Sequence, residues 1–345
     1  MDPDSIRAGE RVPHGGESDR DVLDFSANTN PYSPDGVEEE YRAALDDARR
    51  YPDDEYPAFR DAAAEFVGCD PGSVLPTPGG LAAIRLAMET VLEPGDEALV
   101  PYPSFGEYAR EVRLQGASPQ FVRHDEITDV GRDILEPCAL AIVCTPNNPT
   151  GEVTALDELA ELAARCEGAG TMLLIDEAFL GFTDLPSAVG LERENVIVAR
   201  SLTKLFGLPG LRAGFAVANG EPLQELETAR RTWSLGTPGA RVGAHCLRDE
   251  EFVRETRARV ARERERMRTA LDRRFDVFPS DAPYLLCDVG DRVDDVLASA
   301  REAGVAIRDA TTFRSLDSHV RVAIKDRDAN DQLLAAVGVS DRDVQ

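Results

Sequence analysis

Only two lysines, Lys204 and Lys325, stand against 36 arginines in this chain of 345 residues. One of them closes the segment Ser201-Leu202-Thr203-Lys204, between an apolar run and a turn rich in glycine and proline. The two cations are interchangeable on a surface but not as chemistry. Arginine stays protonated, whereas a desolvated lysine amine can shed its proton and condense with a carbonyl. A chain that has discarded nearly every lysine and kept one there needs its amine. Lys204 is therefore the first candidate for covalent catalysis.

Other chemically distinctive residues gather at the ends of apolar runs. Residues 140–144 lead into Thr145-Pro146-Asn147-Asn148-Pro149-Thr150-Gly151, a stiff turn holding two amides. Residues 172–175 lead into Asp176-Glu177-Ala178-Phe179, and residues 196–199 into Arg200-Ser201-Leu202-Thr203-Lys204. The turn Thr77-Pro78-Gly79-Gly80 opens a helical pattern, where free N–H groups and the helix dipole can cradle a phosphate. Taken singly, these are ordinary features: a turn, an N-cap acid, a glycine bend. Together they supply an amine, a carboxylate, an amide, a phosphate cradle and, at Arg212, a further cation. That set suits an aromatic aldehyde carrying a phosphate.

The elements that must position these groups can be read from the apolar pattern. Strands are expected at 97–100, 120–122, 140–144, 172–175, 196–199 and 214–218, with helices at 81–91, 105–114 and 156–166 between several of them. Two earlier helices begin near Val37 and Phe59. Fully apolar strands alternating with helices predict an α/β fold with a mostly parallel sheet covered on both faces, whose ligands bind at the carboxyl ends of the strands. Residues 250–274 read as a solvated helix with opposite charges at i,i+4, linking two lobes. Beyond it, strands at 284–289, 305–308 and 320–324 and helices at 293–303 and 328–337 predict a smaller α+β lobe. The expected organisation is an arm over 1–35, a large domain over 36–245 and a small domain over 246–345.

Charge narrows the partners. With 64 acidic against 38 basic residues, the net charge of −26 repels nucleic acid. A 42% hydrophobic content and recurrent apolar runs argue for a packed core rather than disorder. Acidity together with arginine-for-lysine replacement points to adaptation to high salt, where screening shortens self-repulsion to a few Å. The six cysteines form no C-x-x-C pair and have no histidine at ligand spacing, so they read as small core residues in a reducing compartment, with no metal site. No apolar run approaches membrane-spanning length and no signal-like stretch opens the chain, so a cytoplasmic enzyme is expected.

The motifs C-T-P-N-N-P-T-G (144–151), D-E-A-F (176–179) and S-L-T-K (201–204), with arginine eight residues later, jointly resemble the pyridoxal-phosphate enzymes of the aspartate-aminotransferase fold, the class I/II aminotransferases. The likeness covers nearly the whole chain. It implies fold type I, a pyridoxal 5′-phosphate cofactor and a homodimer. By that likeness Lys204 condenses with the cofactor aldehyde, and Asp176 pairs with the protonated pyridine nitrogen and keeps the ring an electron sink. Asn148 would hydrogen-bond the ring hydroxyl and Phe105 stack on the ring face. The cofactor phosphate would be held by main chain at Gly79 and Gly80, by Ser201 and Arg212, and by Tyr51 of the neighbouring subunit. Thr203 belongs to the same cofactor-binding set. Arg321 matches the family arginine that meets a substrate carboxylate.

Within the family, two subgroups compete: histidinol-phosphate aminotransferases and L-threonine O-3-phosphate decarboxylases. Three features resemble the decarboxylases. His14-Gly15-Gly16 precedes Leu23-Asp24-Phe25-Ser26-Ala27-Asn28-Thr29-Asn30-Pro31; Phe179 stands where transaminases of this fold usually place tyrosine; and Trp233-Ser234 resembles a P-W-S motif, with Thr232 in place of proline. This likeness makes His14, Arg308 and Arg321 candidates for a phosphorylated amino-acid substrate, with Asn28 near its carboxylate. One departure is the phosphate turn, which continues from Gly80 to Leu81 with no acid or hydroxyl, so the cofactor phosphate would lean on main-chain N–H groups and Ser201.

Overall fold

The computed structural model describes residues 1–339; residues 340–345, which the sequence assigned to the small domain, lie outside the described residues. A two-residue strand β1 (Leu23–Asp24) precedes β2 (Val74–Thr77), β3 (Glu97–Tyr102), β4 (Ser118–Arg123), β5 (Cys138–Cys144), β6 (Met172–Asp176), β7 (Val196–Ser201) and β8 (Gly214–Val217). Strands β2 to β8 form one sheet in the order β2-β8-β7-β6-β5-β3-β4. Six run the same way and β8 opposes both its neighbours. Alternate residues feed opposite faces: Leu140, Ile142 and Leu174 enter one buried cluster, while Ala141, Val143 and Ile175 enter the other. Burial on both faces is why these strands read as unbroken apolar runs.

All six expected strands form, most of them a residue or two longer. Strand β2 was not anticipated, because only four residues with Pro76 among them give little signal. Proline is tolerated there because β2 is an edge strand. The expected helices form at Val37–Asp47, Pro57–Val67, Gly80–Val91, Glu107–Leu114 and Leu156–Ala169, and Gly220–Ala229 and Thr237–Leu247 add two more.

The C-terminal third contains β9 (Asp276–Val277), β10 (Tyr284–Asp288), β11 (Val305–Ala306), β12 (Arg308–Asp309) and β13 (His319–Ala323), with helices Val293–Glu302 and Arg327–Ala336. Strands β12-β13-β10-β9 make an antiparallel sheet, whereas β11 pairs in parallel with β1. The single strand expected over 305–308 is thus two strands, split at Ile307 and serving two sheets. The β1–β11 pair ties the N-terminal arm to this lobe. The long helix Glu250–Leu271 also differs from expectation. One face is buried through Val253, Val260, Met267 and Leu271, and its internal ion pairs are i,i+3, as in Glu251–Arg254 and Glu265–Arg268. It is a packing helix rather than a solvated link, and buried apolar contacts run unbroken from one face of the large sheet into the C-terminal sheet.

Among the described residues no helix is long and apolar enough to cross a membrane, and no group of three or more His, Cys, Asp or Glu could hold a metal ion. Five of the six free cysteines are buried and Cys69 is half-buried, as small core residues should be.

Candidate active site

A cavity of about 350 Å³ opens where Cys144, Asp176 and Ser201 end β5, β6 and β7. Gly80, Phe105, Asn148, Asp176, Ser201, Thr203, Lys204 and Arg212 line it from the sheet side, and His14, Asn28, Arg308 and Arg321 from the other. Parallel strands put their carboxyl ends on one rim, which is how residues far apart in sequence meet.

Lys204 lies on the short helix Leu202–Leu205 immediately after β7. Burial, helped by the charges of Arg321 and Arg212, lowers its pKa to about 8, although Asp24 and Asp176 pull the other way. A neutral amine is therefore within reach near physiological pH. Asp176 ends β6, almost fully buried. Burial pushes its carboxyl up, while two donors oppose that push: the Tyr108 hydroxyl donates to Oδ2 at 2.6 Å and the Ala178 N–H to Oδ1 at 2.9 Å.

The phosphate cradle is a close approach of backbone. Gly79 caps the helix Gly80–Val91 at φ +102°, and a Cβ there would stand 2.9 Å from Arg212 Nη2. At Gly80 a Cβ would come 2.9 Å from the Ser201 Cβ. Both positions need glycine: one for its dihedral, the other for the room it leaves. Ser201 Oγ and Thr203 Oγ1 lie 2.9 Å apart beside them.

Arg321 is buried in β13 and stands across from Lys204. Nη1 donates to Asn148 Oδ1 and Nη2 to the Ser26 carbonyl at 2.9 Å, while Nε has no partner. Burial, reinforced by the charge of Arg308, lowers its pKa to about 10, so it remains a cation. Asn28 Oδ1 is likewise buried without a partner. Arg308 Nη2 donates to the Pro13 carbonyl at 2.9 Å and to Thr312 Oγ1 at 2.8 Å. His14 Nε2 lies 2.9 Å from Glu107 Oε1, and its ring rests 5.7 Å from that of Phe105.

Of the cofactor and substrate residues expected from the sequence, all but Gly79 and Tyr51 line the cavity, and Gly79 abuts Arg212. Tyr51 is 77% exposed and stacks on Trp233 at 4.2 Å, in a groove beside the helices Val37–Asp47 and Thr237–Leu247. Tyr51 and the Trp233-Ser234 motif are thus away from this chain's own cavity; the role expected for Tyr51 concerns a second copy. Phe179 lines the cavity and meets Tyr284 edge-on at 5.0 Å, while the Tyr284 hydroxyl donates to the Asn147 carbonyl at 2.8 Å. Sequence reasoning missed Tyr108 and Glu107. Their one signal was spacing, since the turn carrying Phe105 continues directly into the helix that holds them beside the cavity.

The donor set fits pyridoxal 5′-phosphate. A depressed amine stands for its aldehyde, a buried carboxylate for its pyridine nitrogen, the Asn148 amide for its ring oxygen and a glycine-lined helix start for its phosphate. The sequence profile of the family described as aminotransferase class I and II matches residues 20–337. Histidinol-phosphate aminotransferase 2 of Archaeoglobus fulgidus is 31% identical over 326 residues, 92% of this chain and 93% of that protein. A protein of Caldanaerobacter subterraneus subsp. tengcongensis, provisionally described as threonine-phosphate decarboxylase, is 32% identical over 361 residues, 96% and 95% of the two chains. Histidinol-phosphate aminotransferase from Sinorhizobium meliloti, solved in complex with pyridoxal-5′-phosphate, superposes with a TM-score of 0.81 at 22% identity over 90% of this chain and 88% of that one. The chain belongs to the class I and II aminotransferase family, of fold type I, with pyridoxal 5′-phosphate as its cofactor.

Proposed function

We propose that this enzyme decarboxylates L-threonine O-3-phosphate to (R)-1-aminopropan-2-yl phosphate, a cobamide side-chain precursor. The observation carrying this reading is the convergence of His14, Asn28, Arg308 and Arg321 on one cavity opposite Lys204. Two arginines and a histidine suit an amino acid with a second anion besides its carboxylate. The unpartnered Nε–H of Arg321 is a donor that the carboxylate of such a ligand would satisfy.

When bound, pyridoxal phosphate takes up the electron pair released at the substrate's α-carbon. The bond that breaks is the one held perpendicular to the ring, so the protein chooses the reaction by orienting the substrate. In this reading Arg321 and Asn28 set the carboxylate upright, and Arg308 and His14 hold the phosphate away from the ring. Asp176 holds the pyridine proton, and Lys204 Nζ delivers a proton to the α-carbon once CO₂ has left. Gly79, Gly80, Ser201, Thr203 and Arg212 retain the cofactor phosphate, Asn148 its ring oxygen and Phe105 its face. Phe179, lacking a hydroxyl, leaves that ring oxygen with one donor fewer, which supports the decarboxylase reading without deciding it.

Transamination of histidinol phosphate with 2-oxoglutarate is the second reading, favoured by the Archaeoglobus relative at similar identity. Histidinol phosphate has no carboxylate, so Arg321 would then serve the oxo-acid half. Purified holoenzyme in strong salt should release CO₂ from threonine phosphate. No CO₂, with glutamate formed from 2-oxoglutarate and histidinol phosphate, would transfer the assignment to the aminotransferase. The reading also takes the chain as a cytoplasmic homodimer adapted to high salt, with an arm (1–35), a large domain (36–245) and a small domain (246–345), and with Tyr51 reaching the neighbour's cofactor phosphate.

A further inference from the structure

Tyr108 is fully buried in the helix Glu107–Leu114, three residues past Phe105 and edge-on to it at 5.6 Å. Its hydroxyl is not idle in that setting, because it donates to Asp176 Oδ2 at 2.6 Å inside the cofactor cavity. A buried carboxylate left to itself tends to become a neutral acid, and a neutral acid cannot pair with a pyridinium. Two donors oppose this here. One is the Ala178 N–H on Oδ1, a backbone group that no side-chain change removes. The other is the Tyr108 hydroxyl. The nearby thiol of Cys144 is turned toward the Pro146 carbonyl at 3.4 Å, so tyrosine is the side chain that holds the carboxylate.

We propose that Tyr108 is a positioning residue that fixes Asp176 as an oriented anion against the cofactor's pyridine nitrogen. With one oxygen taken by the hydroxyl and the other by the Ala178 N–H, the carboxylate plane is set, and lone pairs remain that could accept from a pyridinium N–H. Tyr108 therefore acts on the cofactor only through Asp176. Without its hydroxyl, Asp176 becomes more basic and less fixed, and draws the pyridine proton toward itself.

The test separates this role from packing. Tyr108→Phe keeps the ring and its edge contact with Phe105, so the fold is retained; a melting curve of the apoprotein checks it. Apoprotein titrated with pyridoxal 5′-phosphate should bind about tenfold more weakly than wild type, as loss of one charge-assisted hydrogen bond implies. The analogue with C–H in place of the ring nitrogen should bind both proteins equally, because it offers Asp176 nothing to pair with. Equal weakening for both ligands would mean that Tyr108 serves shape alone, and no weakening for either would mean that its hydroxyl contributes nothing to the cofactor site. Each of those results overturns the proposal.

Discussion

On the sheet side of the cavity, Asp176 and Ser201 are the last residues of β6 and β7, and Lys204 follows within one turn of helix. Across the cavity, His14 and Asn28 come from the arm, and Arg308 and Arg321 from the antiparallel sheet near the other end of the chain. The first side is held by main-chain ladders between buried strands. The second rests on strands from both ends of the chain, drawn together by the β1–β11 pair and by side-chain hydrogen bonds over long sequence separations: 93 residues for His14–Glu107 and 295 for both Arg321–Ser26 and Arg308–Pro13. On the proposed reading the chemistry is built into the core, while recognition is assembled from parts that lie far apart in the chain. Changes on the first side should alter the cofactor, and changes on the second should alter substrate binding with the cofactor intact.

The largest effect expected is at Lys204. Lys204→Ala should lower turnover on the order of 10³-fold or more, and borohydride reduction of wild-type holoprotein should place its label on Lys204 rather than Lys325. The amine also carries a pH signature. Its folded pKa, about 8, lies below the ordinary 10.5. Between those values the folded apoprotein has released this proton while the unfolded chain retains it, so stability rises with pH across that window. This amine's share should amount to roughly 3 kcal/mol, read as the change across the window in the stability of wild-type apoprotein minus that of Lys204→Met, because the buried cysteine thiols, pushed up by burial, act the opposite way in both proteins. Denaturant titrations of both proteins near the two ends of that window measure the difference; an equal change in both would break the picture of a desolvated amine.

Arg321→Ala should come next. It removes a buried cation from a proposed carboxylate site, so KM should rise on the order of a hundredfold with the cofactor still bound. Arg308 is only half-buried and more screened, and Arg308→Ala should raise KM about tenfold. Loss of the cofactor spectrum in either variant would erase the division between the two sides.

That division also explains what was legible in the sequence. Strands β3, β5, β6 and β7 were visible because burial on both faces leaves no polar interruption, and the exits of the last three delivered Asn148, Asp176 and Lys204 directly. Strand β2 was invisible because Val74-Leu75-Pro76-Thr77 is short and borrows its order from β8. The division of 305–308 between two sheets depends on β1, which lies near the other end of the chain and pairs through Leu23 and Asp24. The helix Glu250–Leu271 looked solvated because its charges outnumber the apolar residues that face the core. Tyr108 and Glu107 carried no mark of their own: their importance comes from Asp176 and His14, whose positions follow from the tertiary fold.

The smallest effect, and the finest probe of the comparison, lies at Glu107. It sits on the sheet side but serves the arm. One oxygen meets His14 Nε2 at 2.9 Å and the other accepts from Arg110 Nη1 at 3.1 Å. Arg110 in turn donates through Nε to the Glu10 carbonyl, so one helix turn grips the arm at two points. The His14 side chain is 48% exposed, and solvent screens much of this attraction. Glu107→Gln preserves the shape and an acceptor oxygen while deleting the charge, and should cost at most about 1 kcal/mol of stability. In steady-state assays, KM for a phosphorylated substrate should rise about three- to fivefold, with kcat and the cofactor spectrum unchanged. An amino acid without phosphate should show no such rise, because His14 would have nothing to hold. A fall in kcat instead would mean that the arm reaches into the chemistry, and the separation between a rigid catalytic side and an assembled recognition side would fail at the residue that joins them.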